Sequence, residues 1–515
     1  MTKRPTLTRT ATLGVALALA LASGLVPSPA RAQDLASFEE KTTVHTLDNG
    51  WTFILVERPT APVFSFATVV DVGSAQEVPG ITGLAHMFEH MAFKGTRTVG
   101  TTDYGAEKQA LEALEAAYQA YQSERLKPRP DPERLTSLKT AFEEAQERAA
   151  EYVNPGEFDR ILEQAGAVGV NAFTGADITA YIYSLPANKI ELFAYLESSR
   201  FLHPVFREFY KERDVVQEER RLRIESSPVG RLVEQFVTTA YTAHPYGIPT
   251  VGFMSDLQSL TITDARMFFD THYAPANLTT AIVGDVDPET LVPMLETYFG
   301  RIPARPGPEP LRTVEPPQTA ERRVRIEDRS QPFYIEGYHK PAITHPDQAV
   351  YEAIDDILTT GRTSRLYRRL VRDEKLAIQV QSFSGFPGDK YPNLWAVLAV
   401  PSPGVDNDRV AGVIHEELER LAAEDVTDAE LEKFKTRARA RLIRELQSNQ
   451  GMAVQLADYH RLFGDWRELF RALDRFGRVT KEDIRRVAAE TLTEANRTVV
   501  EIVNVPSGRA AGTSR

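Results

Sequence analysis

The chain has 515 residues, with 60 Lys and Arg against 72 Asp and Glu and a formal charge of −12, a balance that argues against a nucleic-acid partner. It has no Cys, which excludes a disulfide framework, thiolate chemistry and a lipid-carrying Cys behind a leader, so catalysis has to use oxygen or nitrogen groups. Its length exceeds what a single core organises and calls for more than one domain.

Residues 1–32 read as a secretory signal peptide. Lys3, Arg4 and Arg9 form a basic start, 12–26 is an apolar run shorter than the ~20 residues of a membrane span, and Ala30-Arg31-Ala32 fits small-x-small cleavage. The expected product begins near Gln33, resides in the periplasm of a Gram-negative bacterium and keeps no stable membrane anchor. Residues 43–57 then read as a hairpin around Asp48-Asn49-Gly50, and 63–72 as a further strand.

Residues 83–96, GLAHMFEHMAFKGT, carry the decisive pattern. On a helix, His86 and His90 project from one face and Glu89 stands beside them. Two imidazoles so spaced can share one Zn²⁺ and leave tetrahedral positions for a third ligand and a water, whose proton Glu89 is placed to take. The order is that of the inverted zincins, HxxEH. A helix with two solvated His would not need the apolar Leu84, Met87, Phe88 and Met91 on its other side.

An excursion at 104–157 follows. Apolar residues step by three and four over 106–122 (Leu111, Leu114, Tyr118, Tyr121) and over 133–152 (Leu135, Leu138, Phe142, Ala145, Ala149, Tyr152), and Pro128, Pro130 and Pro132 turn the chain between them. The pattern predicts an antiparallel helical hairpin, read as a self-packed solvated excursion or as a partner-docking arm. Further on, the helical segment 211–224 carries Glu212, Glu218 and Glu219. Glu212 and Glu219 are seven apart and share a face, whereas Glu218 is rotated by ~100° onto a stripe with Val215 and Leu222. Spacing turns the Glu212 and Glu219 pair toward the metal but does not say which of them touches it.

Residues 301–318 are Pro-rich and lack periodicity, the mark of a linker. We place it at 306–320, between an N-terminal domain (33–305) and a C-terminal domain (321–510) that binds no metal. Strands are predicted at 323–327 and 332–338 and an amphipathic helix at 347–359, so each half opens with strands and continues into helices. The fold class is α+β: two similar domains, each a β-sheet packed against α-helices, with the hairpin inserted in the first.

These residues resemble the pitrilysin and insulinase superfamily of zinc peptidases, most nearly its mitochondrial-processing-peptidase-like bacterial branch, over nearly the whole mature chain. The resemblance implies one zinc per chain, held by His86, His90 and Glu219, the last residue of an E-R-x-x-x-x-x-E pattern, with Glu212 supporting from behind and Glu89 as base. It makes 170–174, VNAFT, the edge strand on which Asn171 and Ala172 meet an extended substrate backbone. His244-Pro245-Tyr246-Gly247 and 281–286 also match, as structural segments. Family members hold the substrate carbonyl with an Arg and a Tyr from a second half; here Arg372 fits, but Ile378 stands where Tyr is expected, and an aliphatic side chain cannot donate to an oxyanion. The expectation is a zinc metalloendopeptidase for short or unfolded peptides, working as a dimer, with a metal-free homologue favoured over a second copy. The rival readings are a non-catalytic scaffold of the same fold and a binding module built on the hairpin.

Overall fold

The computed structural model describes residues 35–505; the export segment read at 1–32 lies outside the described residues. The described residues divide into two units, 35–41 and 42–505. Of the first, a short helix, Leu35–Glu39, is described. No helix among the described residues is long and apolar enough to cross a membrane.

The second unit holds two sheets. One contains β1 (Thr42–Thr46), β2 (Thr52–Glu57), β3 (Val63–Val70), β4 (Val168–Thr174), β5 (Thr179–Pro186) and β6 (Leu278–Gly284), in the order β1-β2-β6-β3-β5-β4. The other contains β7 (Arg322–Asp328), β8 (Phe333–Lys340), β9 (Ala377–Phe386), β10 (Asn393–Pro401) and β11 (Arg497–Asn504), in the order β7-β11-β8-β10-β9. β2 with β6 and β7 with β11 pair in parallel, and all other neighbours are antiparallel. The strands read from the sequence at the start of each half are thus joined by later ones, β4 to β6 and β9 to β11. Residues 303–319 between the sheets form neither helix nor strand.

Local chemistry explains the first turn. Asn49 accepts from the Trp51 N–H at 3.1 Å and donates to the Phe299 and Ile302 carbonyls, both at 2.9 Å, while Gly50 takes φ +96°, a conformation that suits glycine. This seats Trp51 and Phe53 in an aromatic core with Phe299 and Phe201. β6 is buried along its whole length, consistent with its apolar run and with cover on both faces of the sheet.

Six helices position the site and join the halves: α1 (Leu84–Met91), α2 (Tyr104–Arg125), α3 (Pro132–Ala150), α4 (Phe209–Arg220), α5 (Pro228–Ala240) and α6 (Asn449–Phe463). α5 belongs by sequence to the first half but lies on the second sheet, where Leu232, Phe236 and Val237 are buried with Phe333, Ile335, Leu398 and Val500. α6 belongs to the second half but lies on β3, β5 and β6 of the first sheet, burying Met452, Ala453 and Leu456. Each sheet is therefore covered by a helix from the other half.

The hairpin forms as α2 and α3, with Asp103 and Asp131 accepting the first free N–H groups of their helices. The self-packed reading needs correction. Leu114, Tyr118, Ala145 and Ala149 belong to the core of the first half, and the Tyr118 and Phe142 rings meet Tyr210 of α4 at 4.3 and 5.2 Å. One side of each apolar stripe serves the partner helix, and the rest packs on α4.

Candidate metal centre

α1 starts at Gly83, whose φ of 93° is left-handed and which has no side chain to satisfy the first N–H groups of the helix. A carboxylate from an earlier loop does so instead: the Glu77 oxygens accept from the N–H groups of Gly83 and Ala85, each at 2.7 Å. Burial pushes the Glu77 carboxyl up to about 8, against the pull of these donors. Asp256 ties down the approach, accepting from the Gly80 N–H at 3.0 Å and the Thr82 hydroxyl at 2.7 Å. A Cβ on Gly83 would lie 2.6 Å from Leu257 and 2.8 Å from the Val251 carbonyl. We therefore expect Gly83→Ala to cost at least the roughly 1–2 kcal/mol of a left-handed non-glycine residue and to loosen metal binding, as a thermal melt and a zinc titration would reveal.

Leu84, Met87, Phe88 and Met91 anchor α1 in the core, which turns His86, Glu89 and His90 toward α4. The imidazoles meet edge to face, 4.9 Å between centroids. Glu219 of α4 faces both, with His86 Nε2 to Oε1 at 3.7 Å and His90 Nε2 to Oε2 at 3.2 Å. One donor atom from each of these residues lies within 4.8 Å of the others. Two ligand atoms held about 2.1 Å from a tetrahedral zinc sit about 3.4 Å apart, and the two nitrogen-to-carboxylate separations, each to a different oxygen of Glu219, lie close to that value. The donor set, two imidazoles and a carboxylate, also suits zinc. Among the described residues no other group of His, Asp and Glu is so placed.

The surroundings tune these groups. Burial drives the His86 imidazole down to about 4 despite the nearby Glu219 carboxylate, which leaves it neutral and free to donate a lone pair. His90 is moved upward, first by the neighbouring Glu212 carboxylate, whose Oε2 lies 3.6 Å from its Nδ1. Burial would raise Glu212, but the neighbouring His90 and Lys94 outweigh it and hold the carboxyl below its usual value. Burial raises Glu89, whose neighbours include Thr174, His90 and Glu219.

Glu212 and Glu219 thus come together with His86 and His90, Glu219 facing both imidazoles and Glu212 behind His90. Glu218 points away, exposed beside Arg221. Val215 and Leu222, read as an apolar stripe with it, are 46% and 73% exposed, a correction with a clear cause: α4 packs through Phe209, Tyr210 and Val216 and buries Arg213 and Arg220 through polar contacts. Asn171 is exposed and Ala172 buried on β4, an edge of its sheet whose last residue, Thr174, lies against Glu89. The structure does not bring Arg372 to the cluster; its exposed guanidinium pairs with Asp373, 2.6 Å away. Ile378 is 56% exposed on β9, an edge of the other sheet. His244 is buried, its Nδ1 accepting from the Tyr246 N–H at 3.1 Å.

Two cations escaped the sequence reading. Lys94 pairs with Glu212 and with Glu208, and Arg223 holds Glu219 Oε1 at 2.8 Å. Arg223 follows Glu219 by four residues, a helical spacing that carried the signal, whereas Lys94 lies past the end of α1 at Met91 and had none.

The comparisons extend beyond the site. Residues 52–125 match the family described as insulinase (peptidase family M16), and 259–438 the peptidase M16 inactive domain. The zinc protease PqqE of Helicobacter pylori is 30% identical over 495 residues, covering 94% of this chain and 97% of that one. A crystal structure of a protease from Helicobacter pylori superposes with a TM-score of 0.74 at 28% identity, covering 90% of this chain and 99% of that one. The first half of the periplasmic protease PqqL from Escherichia coli shares the fold, with a TM-score of 0.64 at 17% identity and 90% and 92% coverage. Identity sustained along both halves, and not confined to the helix with the two His, shows that this chain belongs to the M16, or insulinase, family of peptidases.

Proposed function

We propose that this protein is an exported zinc endopeptidase that hydrolyses short or unfolded peptides, with His86, His90 and Glu219 holding one zinc. The observation that carries the reading is the convergence of the three donor groups within 4.8 Å of one another, with Glu89 on the same helix as the two His. Bound there, zinc would supply Lewis-acid activation of the scissile carbonyl and of water. Glu89 accepts the proton of the attacking water and delivers it to the leaving amine, a task suited to a carboxyl whose affinity for protons burial has raised. Glu212 orients His90 from behind, and Lys94 balances its charge. An extended peptide adds to the free edge of β4, where backbone pairing gives affinity with little sequence selectivity.

The second half offers Arg372 but Ile378 in place of a hydroxyl donor, and Arg372 stands apart from the cluster. We therefore assign the substrate-clamping groups to a partner, a metal-free homologue in preference to a second copy. The leader pattern at 1–32, together with the periplasmic PqqL relative in fold, supports a periplasmic location. The purified chain is expected to contain about one zinc and to cleave a quenched fluorescent peptide once the homologue is added. A chain that takes up no zinc would refute the reading. Full activity of the chain alone would refute only the assignment of the clamp.

A further inference from the structure

We infer that Arg207 is a positioning residue of the metal centre, and that the helical hairpin serves to clamp it. The inference rests on the proposed role of His86, His90 and Glu219 as ligands. Arg207 is 1% exposed and stands two residues before α4. Its Nε and Nη2 donate to both oxygens of Glu107 on α2, at 2.5 and 2.8 Å. Nη1 donates to the carbonyls of Lys94 and Val99 at 2.6 and 3.2 Å, and Nη2 to that of Thr96 at 3.0 Å. All five guanidinium donors are thereby used.

Residues 94–99 are the exit of α1, beginning four residues after His90. One side chain therefore ties the end of the helix carrying two ligands to the start of the helix carrying the third, and Glu107, itself fully buried, neutralises it. The loop is shaped for the guanidinium. Gly95 and Gly100 have φ of +96° and +85°, and a Cβ on either would come 2.9 or 2.7 Å from Arg207 Nη1.

The hairpin then holds α4 along its length. Tyr210 donates to Glu115 at 2.5 Å, and Arg213 donates to the Tyr118 hydroxyl at 2.5 Å. Tyr210, Arg213 and Gln217 lie on the helix face opposite Glu212 and Glu219 at about 100° per residue. The face turned to the imidazoles is thus set by contacts on its back. An arm used only to recruit a partner would not need a buried bidentate pair at the root of the ligand helix.

The test uses the full-length chain with Glu107→Gln and the milder Glu107→Asp, which keeps the charge but shortens its reach and serves if the first fails to fold. Glu197→Gln is the control, because it removes a buried ion pair with Arg200 of the same kind in the same half. The zinc dissociation constant, from competition with a chelator, and the visible spectrum of the Co²⁺-substituted chain are the readouts. Both Glu107 variants are expected to weaken zinc binding about tenfold or more and to alter the cobalt spectrum, while the control changes neither. Wild-type affinity and spectrum in the Glu107 variants would overturn the inference, as would an equal loss in Glu197→Gln, which would mark general destabilisation. If the wild-type chain binds no zinc, the reading beneath it fails instead.

Discussion

Replacing Glu89 with Gln is expected to leave the zinc content unchanged and to lower peptide hydrolysis by about 10²–10⁴-fold, the usual contribution of a positioned proton-transfer group. Glu89 lies outside the set of three donors, so its loss should not disturb the ion, and Gln keeps its size and much of its hydrogen bonding while being unable to accept a proton. Burial raises the carboxyl of Glu89 above its ordinary value, toward the range in which a base can take a proton and give it up within one turnover. The decisive measurement pairs metal analysis with single-substrate kinetics on the same preparation. Hydrolysis at the wild-type rate would remove Glu89 from the mechanism. Loss of zinc would instead make it part of the binding set.

His90→Ala should behave in the opposite way, losing zinc on dialysis and with it all hydrolysis above background. Two donors, His86 and Glu219, would remain of a set in which three protein ligands are the norm for a catalytic zinc. The same change removes one partner of Glu212, His90 across 3.6 Å, and leaves it Lys94. Glu212→Gln separates these effects: the three donors survive, and zinc affinity should fall by about 10–100-fold, as for supporting groups at other metal centres. Stoichiometric zinc in His90→Ala would mean that the ion sits elsewhere in the chain.

The parts of the site that lie close together in the chain were legible in the sequence. His86, Glu89 and His90 share one turn of helix, and periodicity alone brings them together. The strands around Asp48-Asn49-Gly50 and the two hairpin helices announced themselves through turn chemistry and apolar spacing. What lay beyond reach depends on how α4 is rotated about its axis. Seven-residue spacing put Glu212 and Glu219 on one face, but took Val215 and Leu222 for an apolar stripe, because burial of Arg213 and Arg220 looks improbable until their partners, the Leu260 and Gly252 carbonyls, are known. The pairing of Arg207 with Glu107 spans 100 residues, and each residue alone reads as an ordinary surface charge. The placement of α5 and α6 on each other's sheets was equally hidden, since an amphipathic helix shows that it needs a partner but not which one.

That placement limits how the molecule can move. Swinging the two sheets apart would pull Leu232, Phe236 and Val237 off one and Met452 and Leu456 off the other, exposing side chains that are each worth about 1.5–3 kcal/mol when buried. A hinge between the halves would therefore have to break two apolar seals at once, and the link through 303–319 is not where the chain can flex as a jaw. The two sheets of one chain would then move as one body, with β4 at the edge of the first. On the proposed pairing with a homologue, admitting a peptide would depend on how the two subunits part, so the strength of the contact between them, rather than any flexibility within one, would govern which substrates enter and how fast products leave.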